Sequence, residues 1–138
     1  MSTISVSGLS AILRSAPSVS LSHTCRETLR VMFQHPESKC IVVCNPSDEP
    51  AGLLMSERFF LKATGRKGTG HFYRESVTKL MNRAPLTADI YAPLASLYEE
   101  AMRRPDVMKN DCIIITDKGK FTGVVYPSDL RDSICQLP

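Results

Sequence analysis

Apolar positions in this chain follow one order and then follow it again. Leu29, Val31, Met32 and Phe33 lead through Pro36 to the unbroken run Cys40-Ile41-Val42-Val43-Cys44, then a polar turn and Gly52-Leu53-Leu54-Met55. Leu94, Leu97, Ala101 and Met102 lead through Pro105 to Cys112-Ile113-Ile114-Ile115-Thr116, then a turn and Gly123-Val124-Val125-Tyr126. The offset is 69 at the prolines, 72 at the apolar runs and 71 at the glycines. Offsets that change only in loops mark a duplicated unit, because loops accept insertions that core elements reject. Neither copy is large enough to close a core alone, which makes the cleft between two copies the natural place for a ligand.

The pattern predicts these elements. Leu9 to Leu13 reads as a short helix entering the first copy and stopping before Pro17, and Val19 to Leu21 as a minimal strand. Thr24-x-x-Glu27 is a capping box, and Cys25, Leu29, Met32 and Phe33 at i, i+4, i+7 and i+8 make the helix behind it amphipathic, ending before Pro36. The β-branched run 40–44 predicts a buried strand, and turn chemistry from Asn45 to Pro50 pairs it with a strand at 52–55. Helix 57–64 follows, with Gly65 as its stop. In the second copy the expected elements are a short helix at 77–82, a short strand near Thr87 and a helix at 93–103 opened by Pro93. Strands at 112–116 and 121–126, joined by Asp117-Lys118-Gly119-Lys120, and a helix at 127–135 complete it. The copies are bounded at 10–65 and 76–136, and the Gly/basic segment 66–75 reads as a flexible linker.

Composition narrows the function classes. A chain of 138 residues, 43% hydrophobic and 22% charged, is an ordinary globular composition for one compact domain or two intimately packed ones. The net charge of +3 is too mild and too dispersed for a nucleic-acid binder. Five cysteines, an odd count without a CxxC pair, exclude a disulfide framework and a zinc ribbon, and His23, His35 and His71 hold no metal-ligand spacing to them. Cys40, Cys44 and Cys112 lie in or beside apolar strands and read as core, which points to a reducing, cytoplasmic setting. Neither a signal-peptide pattern nor an apolar run of membrane-spanning length is present. No sequence-level triad or Cys–His pair suggests an enzyme, and Glu99-Glu100 read as solvent-facing.

Each copy closes its second strand with Gly, two aliphatics and a polar helix start: Gly52-Leu53-Leu54-Met55-Ser56-Glu57-Arg58, and Gly123-Val124-Val125-Tyr126-Pro127-Ser128-Asp129-Leu130. With the doubled order of elements, this signature resembles the cystathionine-β-synthase (CBS) domain as a tandem pair, from about residue 10 onward. Arg58-Phe59-Phe60-Leu61 through Gly65-Arg66-Lys67-Gly68, Val77 to Met81, and Ala101-Met102-Arg103-Arg104-Pro105 are similar to pairs found beside diguanylate cyclase and phosphodiesterase domains in bacterial cyclic-di-GMP signalling proteins. The resemblance implies an α/β (α+β) fold of two β-hairpin-plus-helices repeats related by a pseudo-twofold. It also implies dimerisation through helix faces, for which helices 57–64 and 127–135 offer Phe59, Phe60, Leu61, Leu130 and Ile134 as an exposed apolar surface.

It further implies a regulatory module that binds an adenine nucleotide (AMP, ADP or ATP) or a related anion and signals to an attached or separate domain, with no required cofactor. The family pattern is Gly, two aliphatics, Thr or Ser, two variable residues, then Asp. A carboxylate at its end can accept from both ribose hydroxyls, and a helix N-terminus can receive phosphate oxygens. Carried over, Asp129 takes the ribose position of the second copy, Tyr126 replaces the Thr, and Ser128 supplies a nearby hydroxyl. In the first copy Met55 replaces Thr and Arg58 replaces Asp. An arginine cannot accept a hydrogen bond, so Arg58 is suited to a phosphate instead. Ser20, Ser56 and Thr87 complete the candidate ligand-binding set, with Lys62 and Arg66, at i+4 and i+8 from Arg58, as weaker phosphate contacts. Two bland readings stand beside these: Asp129 as an ordinary first-turn helix acid, and the basic stripe as a solvated face. A ligand-free scaffold whose clefts are filled by Tyr126 and Met55 is the alternative function.

Overall fold

The computed structural model describes residues 8–65 and 69–135, with backbone alone at 69–71. Its elements run β1 (Ser18–Ser20), α1 (Cys25–Gln34), β2 (Cys40–Cys44), β3 (Pro50–Met55), α2 (Ser56–Gly65), α3 (Thr69–Arg74), β4 (Thr87–Asp89), α4 (Leu94–Met102), β5 (Ile113–Asp117), β6 (Lys120–Val125) and α5 (Pro127–Cys135). Short 3-10 turns occupy Val77–Lys79 and Asp106–Met108. The fold is α+β, with two three-stranded sheets ordered β1-β2-β3 and β4-β5-β6.

In each sheet the central strand pairs parallel with the short strand before it and antiparallel with the strand after it. The central strands are buried on both faces, which is why Cys40–Cys44 and Ile113–Thr116 read as unbroken apolar runs rather than alternating ones. The β5–β6 hairpin turns through Lys118 (φ 56°) and Gly119 (φ 83°), two consecutive left-handed residues whose twist matches the flanking strands. The capping box forms as expected: Thr24 Oγ1 accepts from the Glu27 N–H at 3.2 Å, and Glu27 Oε1 accepts from the Thr24 N–H at 2.9 Å.

The chain divides into two compact units. The first is residues 16–85; the second is 86–135 joined by residues 8–15. This division differs from the sequence bounds at both ends. The Leu9 segment, expected to enter the first copy, makes one helical turn at 8–10 and buries Leu9 among Leu97, Ile113, Ile115, Val125 and Leu130 of the second unit. Residues 76–85, counted by sequence with the second copy, fold onto the first: Val77 is fully buried there, beside Ile41, Val43 and Phe59.

The expected linker is corrected too. Residues 69–74 form α3, and Phe72 is wholly buried against Phe59 at a ring-centroid distance of 5.8 Å. An aromatic among glycines and basic residues carries no periodic signal, so its burial was invisible until the core around it was known. Two side chains assigned to an exposed helix face are also core. Phe59 is 2% exposed and Leu130 0%, because both point from the first turn of their helices back onto the sheet; Phe60 and Leu61 remain exposed and Ile134 half-buried.

Candidate functional site

In the second unit, β6 ends at Val125, Tyr126 makes the corner and α5 begins at Pro127, whose fixed φ suits a helix start. Asp129 therefore lies in the first helical turn, where the helix dipole favours a negative charge. The outer edge of β6 is taken by Arg14: its N–H donates to Val124 O at 2.8 Å and its carbonyl accepts from the Val124 N–H at 2.9 Å. A residue bridged to position 124 has its side chain on the face shared with position 126. Accordingly the Arg14 guanidinium carbon lies 4.4 Å from the centre of the Tyr126 ring, and its Nε donates to Asp129 Oδ2 at 2.7 Å.

This cation, ring and carboxylate are brought together from residues 14, 126 and 129. The Arg14 and Asp129 side chains are 51% and 27% exposed, so the pair is screened by water and exchangeable rather than a structural clamp. The hydrogen bond that Arg14 donates to Asp129 raises the Arg14 pKa further above its already high value, so the guanidinium stays charged. Tyr126 is 7% exposed, so its ring is largely covered. The cluster can donate to an anion from Arg14, accept from hydroxyls at Asp129 and present an aromatic wall.

Arg14 was not among the residues the sequence singled out. A signal existed: Leu13-Arg14 and Met81-Asn82 stand 68 apart, close to the repeat offset. Asn82 does in the first unit what Arg14 does in the second, exchanging both backbone hydrogen bonds with Leu53 at 3.0 and 2.8 Å. Each crossing passes beside the glycine of its repeat. A Cβ on Gly123 would lie 2.7 Å from the Arg14 carbonyl oxygen, and one on Gly52 would strike the Met81 side chain and lie 3.1 Å from the Asn82 carbonyl. Gly123 is therefore required by a close backbone approach, while at Gly52 the nearest obstacle is a side chain.

The other candidates are dispersed. Ser128 is exposed on α5 and lines a hollow with Tyr98, Met102 and Leu130, away from the Arg14 pair. Thr87 is exposed on β4, which β5 separates from β6. Ser56 donates from its hydroxyl to the Ser38 carbonyl at 3.4 Å and from its N–H to the Lys39 carbonyl at 2.9 Å. Ser20 has its hydroxyl 3.0 Å from that of Ser22, in a local turn. Arg58 and Lys62 are exposed on α2, while Arg66 lies outside the described residues. The first-unit corner thus has Met55, Arg58 and Asn82 where the second has Tyr126, Asp129 and Arg14.

Four of the five thiols stay in the packing. Cys25, Cys40, Cys44 and Cys112 are buried and Cys135 exposed, and burial pushes the Cys44 thiol up to about 11, keeping it protonated. Among the described residues no three His, Cys, Asp or Glu side chains cluster as a metal ion requires, and no helix is long and apolar enough to cross a membrane.

Residues 77–135 match the family model of the CBS domain. The fold is shared with solved structures, some of them described as CBS-domain-containing. Staphylococcus aureus OpuCA matches at 15% identity over 90% of this chain and 96% of the other, with a TM-score of 0.67. A CBS-domain-containing protein from Agrobacterium tumefaciens matches at 16% identity over 94% and 97%, with a TM-score of 0.68. A CBS-domain-containing protein of unknown function from Bacillus anthracis matches at 14% identity over 94% of each chain, with a TM-score of 0.70. No curated protein matches the chain. Residues 77–135 thus match a CBS domain, and the fold of the chain is one shared with CBS-domain-containing structures.

Proposed function

We propose that the chain is a non-catalytic sensor that binds an adenine nucleotide or a related phosphorylated small molecule at the Arg14–Tyr126–Asp129 corner. The bound state is passed on to an attached or separate signalling domain, of the cyclic-di-GMP type that the sequence resembles. The observation that carries this reading is the exposed ion pair itself. Asp129 is positioned by a helix start to accept from ribose hydroxyls, and Arg14 is free in torsion to turn from Asp129 toward a phosphate. Regulation then requires that the ligand favour one conformation of the protein over another, since only differential affinity shifts an equilibrium.

A titration of melting temperature with AMP, ADP, ATP, S-adenosylmethionine, NAD and cyclic-di-GMP tests it, because a ligand of the folded state raises the transition by mass action. The expected result is a dose-dependent rise with at least one of them, weakened about tenfold by Asp129→Ala, a loss of roughly 1.4 kcal/mol. Arg14→Gln is expected to weaken binding more for a triphosphate than for a nucleoside. No rise at millimolar ligand sinks the reading.

One observation favours a ligand-free scaffold instead: Asp129 is already engaged by Arg14 at 2.7 Å, so the carboxylate is satisfied without a guest. Under that reading Asp129→Ala changes stability modestly and leaves every titration flat.

A further inference from the structure

The two repeats fill one equivalent place differently. In the first unit Phe33 of α1 and Phe60 of α2 meet edge-on at 6.1 Å, so two rings bridge the helices. By the repeat offsets Met102 stands where Phe33 does, and Arg131 stands where Phe60 does. A thioether and a guanidinium do not replace two rings. Between α4 and α5 lies a cavity of about 270 Å³, walled by Tyr98, Ala101, Met102 and Leu130.

Apolar walls meet a polar mouth, formed by Lys109, Asn110, Ser128 and Arg131. Two cations and no carboxylate line the cavity among the described residues. The acids of the two helices lie elsewhere: Asp129 meets Arg14 at 2.7 Å, and Glu99 lies 3.9 Å from Arg103. Lys109 is engaged by Asp106 at 3.1 Å, whereas Arg131 has only Asp132 at 3.9 Å, with both of those side chains more than half exposed. So loose a pair exchanges readily, which makes Arg131 the cation that an anionic guest can claim. Tyr98, Asn110 and Ser128 make no side-chain hydrogen bond to other described residues and add two hydroxyls and an amide.

The mouth is also held in shape. Arg104 Nε donates to the Ala101 carbonyl at 3.2 Å, and its Nη2 donates to the Lys109 and Asp111 carbonyls at 3.1 and 3.2 Å. One guanidinium thereby ties the segment that carries Lys109 and Asn110 to the end of α4. Size then limits the guest. A cavity of roughly 150 Å³ receives one benzene ring, whereas sites for drug-sized ligands span about 300–1,000 Å³. The α4/α5 cavity falls between them, with room for one ring and a short acidic arm.

We infer that the α4/α5 cavity is a binding site for a small aromatic carboxylate. The ring enters between Tyr98, Met102 and Leu130, at the place where the first unit has a phenyl ring of its own, and the carboxylate meets Arg131 at the mouth. Methionine suits such a guest, because its polarizable sulfur packs favourably against ring edges. The inference does not rest on nucleotide binding at the Arg14–Tyr126–Asp129 corner.

Nuclear magnetic resonance titration of the isotope-labelled chain with phenylacetate tests it, with benzyl alcohol and acetate as the ring-only and acid-only probes. Phenylacetate shifts the methyl resonances of Met102 and Leu130 saturably at millimolar concentration, benzyl alcohol shifts the same resonances, and acetate leaves them in place. Arg131→Gln weakens phenylacetate about fivefold, the upper range for a partly exposed ion pair, and leaves benzyl alcohol unchanged. Arg131→Phe, which sets the first unit's residue at this place, abolishes binding of both. Melting curves confirm the fold of the two variants, both at an exposed position. Shifts that are absent or never saturate with phenylacetate, equal losses for both probes in Arg131→Gln, or undiminished binding to Arg131→Phe overturns the inference.

Discussion

The two units complete their cores by the same device and diverge in what the device delivers. In each, a short segment crosses the outer edge of the last strand beside a glycine: Asn82 beside Gly52 in the first unit, Arg14 beside Gly123 in the second. In the second unit the crossing residue is a cation that meets the carboxylate at the following helix start. In the first, the crossing residue is an amide and the helix start carries Arg58. The backbone crossing is kept at both places, while the side chains that decide chemistry are free to differ. The units also differ in their supports, since the first has α3 with Phe72 packed into its core and a capping box on α1, whereas α4 starts at Pro93 with no side-chain cap.

The largest effect that sharpens this comparison is expected at Phe72. Truncating a wholly buried phenyl ring removes its transfer free energy and leaves a cavity. Phe72→Ala should therefore cost about 3–5 kcal/mol in urea denaturation. A cost below about 1 kcal/mol, the size of a surface change, would mean that α3 does not close the first unit.

Next come the two glycines, where the same substitution should act unequally. Gly123→Ala drives a methyl into the Arg14 carbonyl, and backbone in a paired bridge has little room to retreat. It should destabilise by about 1–3 kcal/mol, as overpacking does. At Gly52 the nearest obstacle is the Met81 side chain, which can change rotamer, so Gly52→Ala should cost less than about 1 kcal/mol. Equal costs would break the asymmetry.

A further difference lies at the helix starts. Thr24→Ala should cost about 1 kcal/mol, a loss with no counterpart at Pro93. The Glu27 carboxyl is lowered from its ordinary value of 4.5, chiefly by the Thr24 backbone hydrogen bond and then by the Thr24 hydroxyl. A lowered folded-state pKa means that the stabilisation is complete above the unfolded value and is lost as pH falls through the folded one. Melting curves of wild type and Glu27→Gln should thus differ near neutrality and converge below the ordinary carboxylate range. A difference that persists into acid would remove the capping charge from the account.

Most of the regular structure was legible because it rests on local rules. The capping box, the β-branched runs of 40–44 and 113–115, the Lys118-Gly119 turn and the proline stops each act over a few neighbours, and all appear within a residue or two of their expected places. The parallel pairing of β1 with β2 and of β4 with β5 was not legible, since three-residue strands carry almost no pattern of their own. At the site, Tyr126 and Asp129 were found from the motif, but Arg14 was missed because its role is conferred by a bridge to Val124 across more than a hundred residues.

What the amino-acid sequence by itself determined is the duplication, the order of elements and the two glycines, because helix caps, turns and apolar runs are short-range properties that each copy repeats. Only the tertiary structure decided that residues 8–15 complete the second unit and 77–85 the first, that Phe59 and Leu130 are core rather than surface, and that Asp129 is met by Arg14. The reason is common to all three. Burial depends on which segment covers a sheet, and a covering segment distant in the chain leaves no periodicity near the residues that it covers.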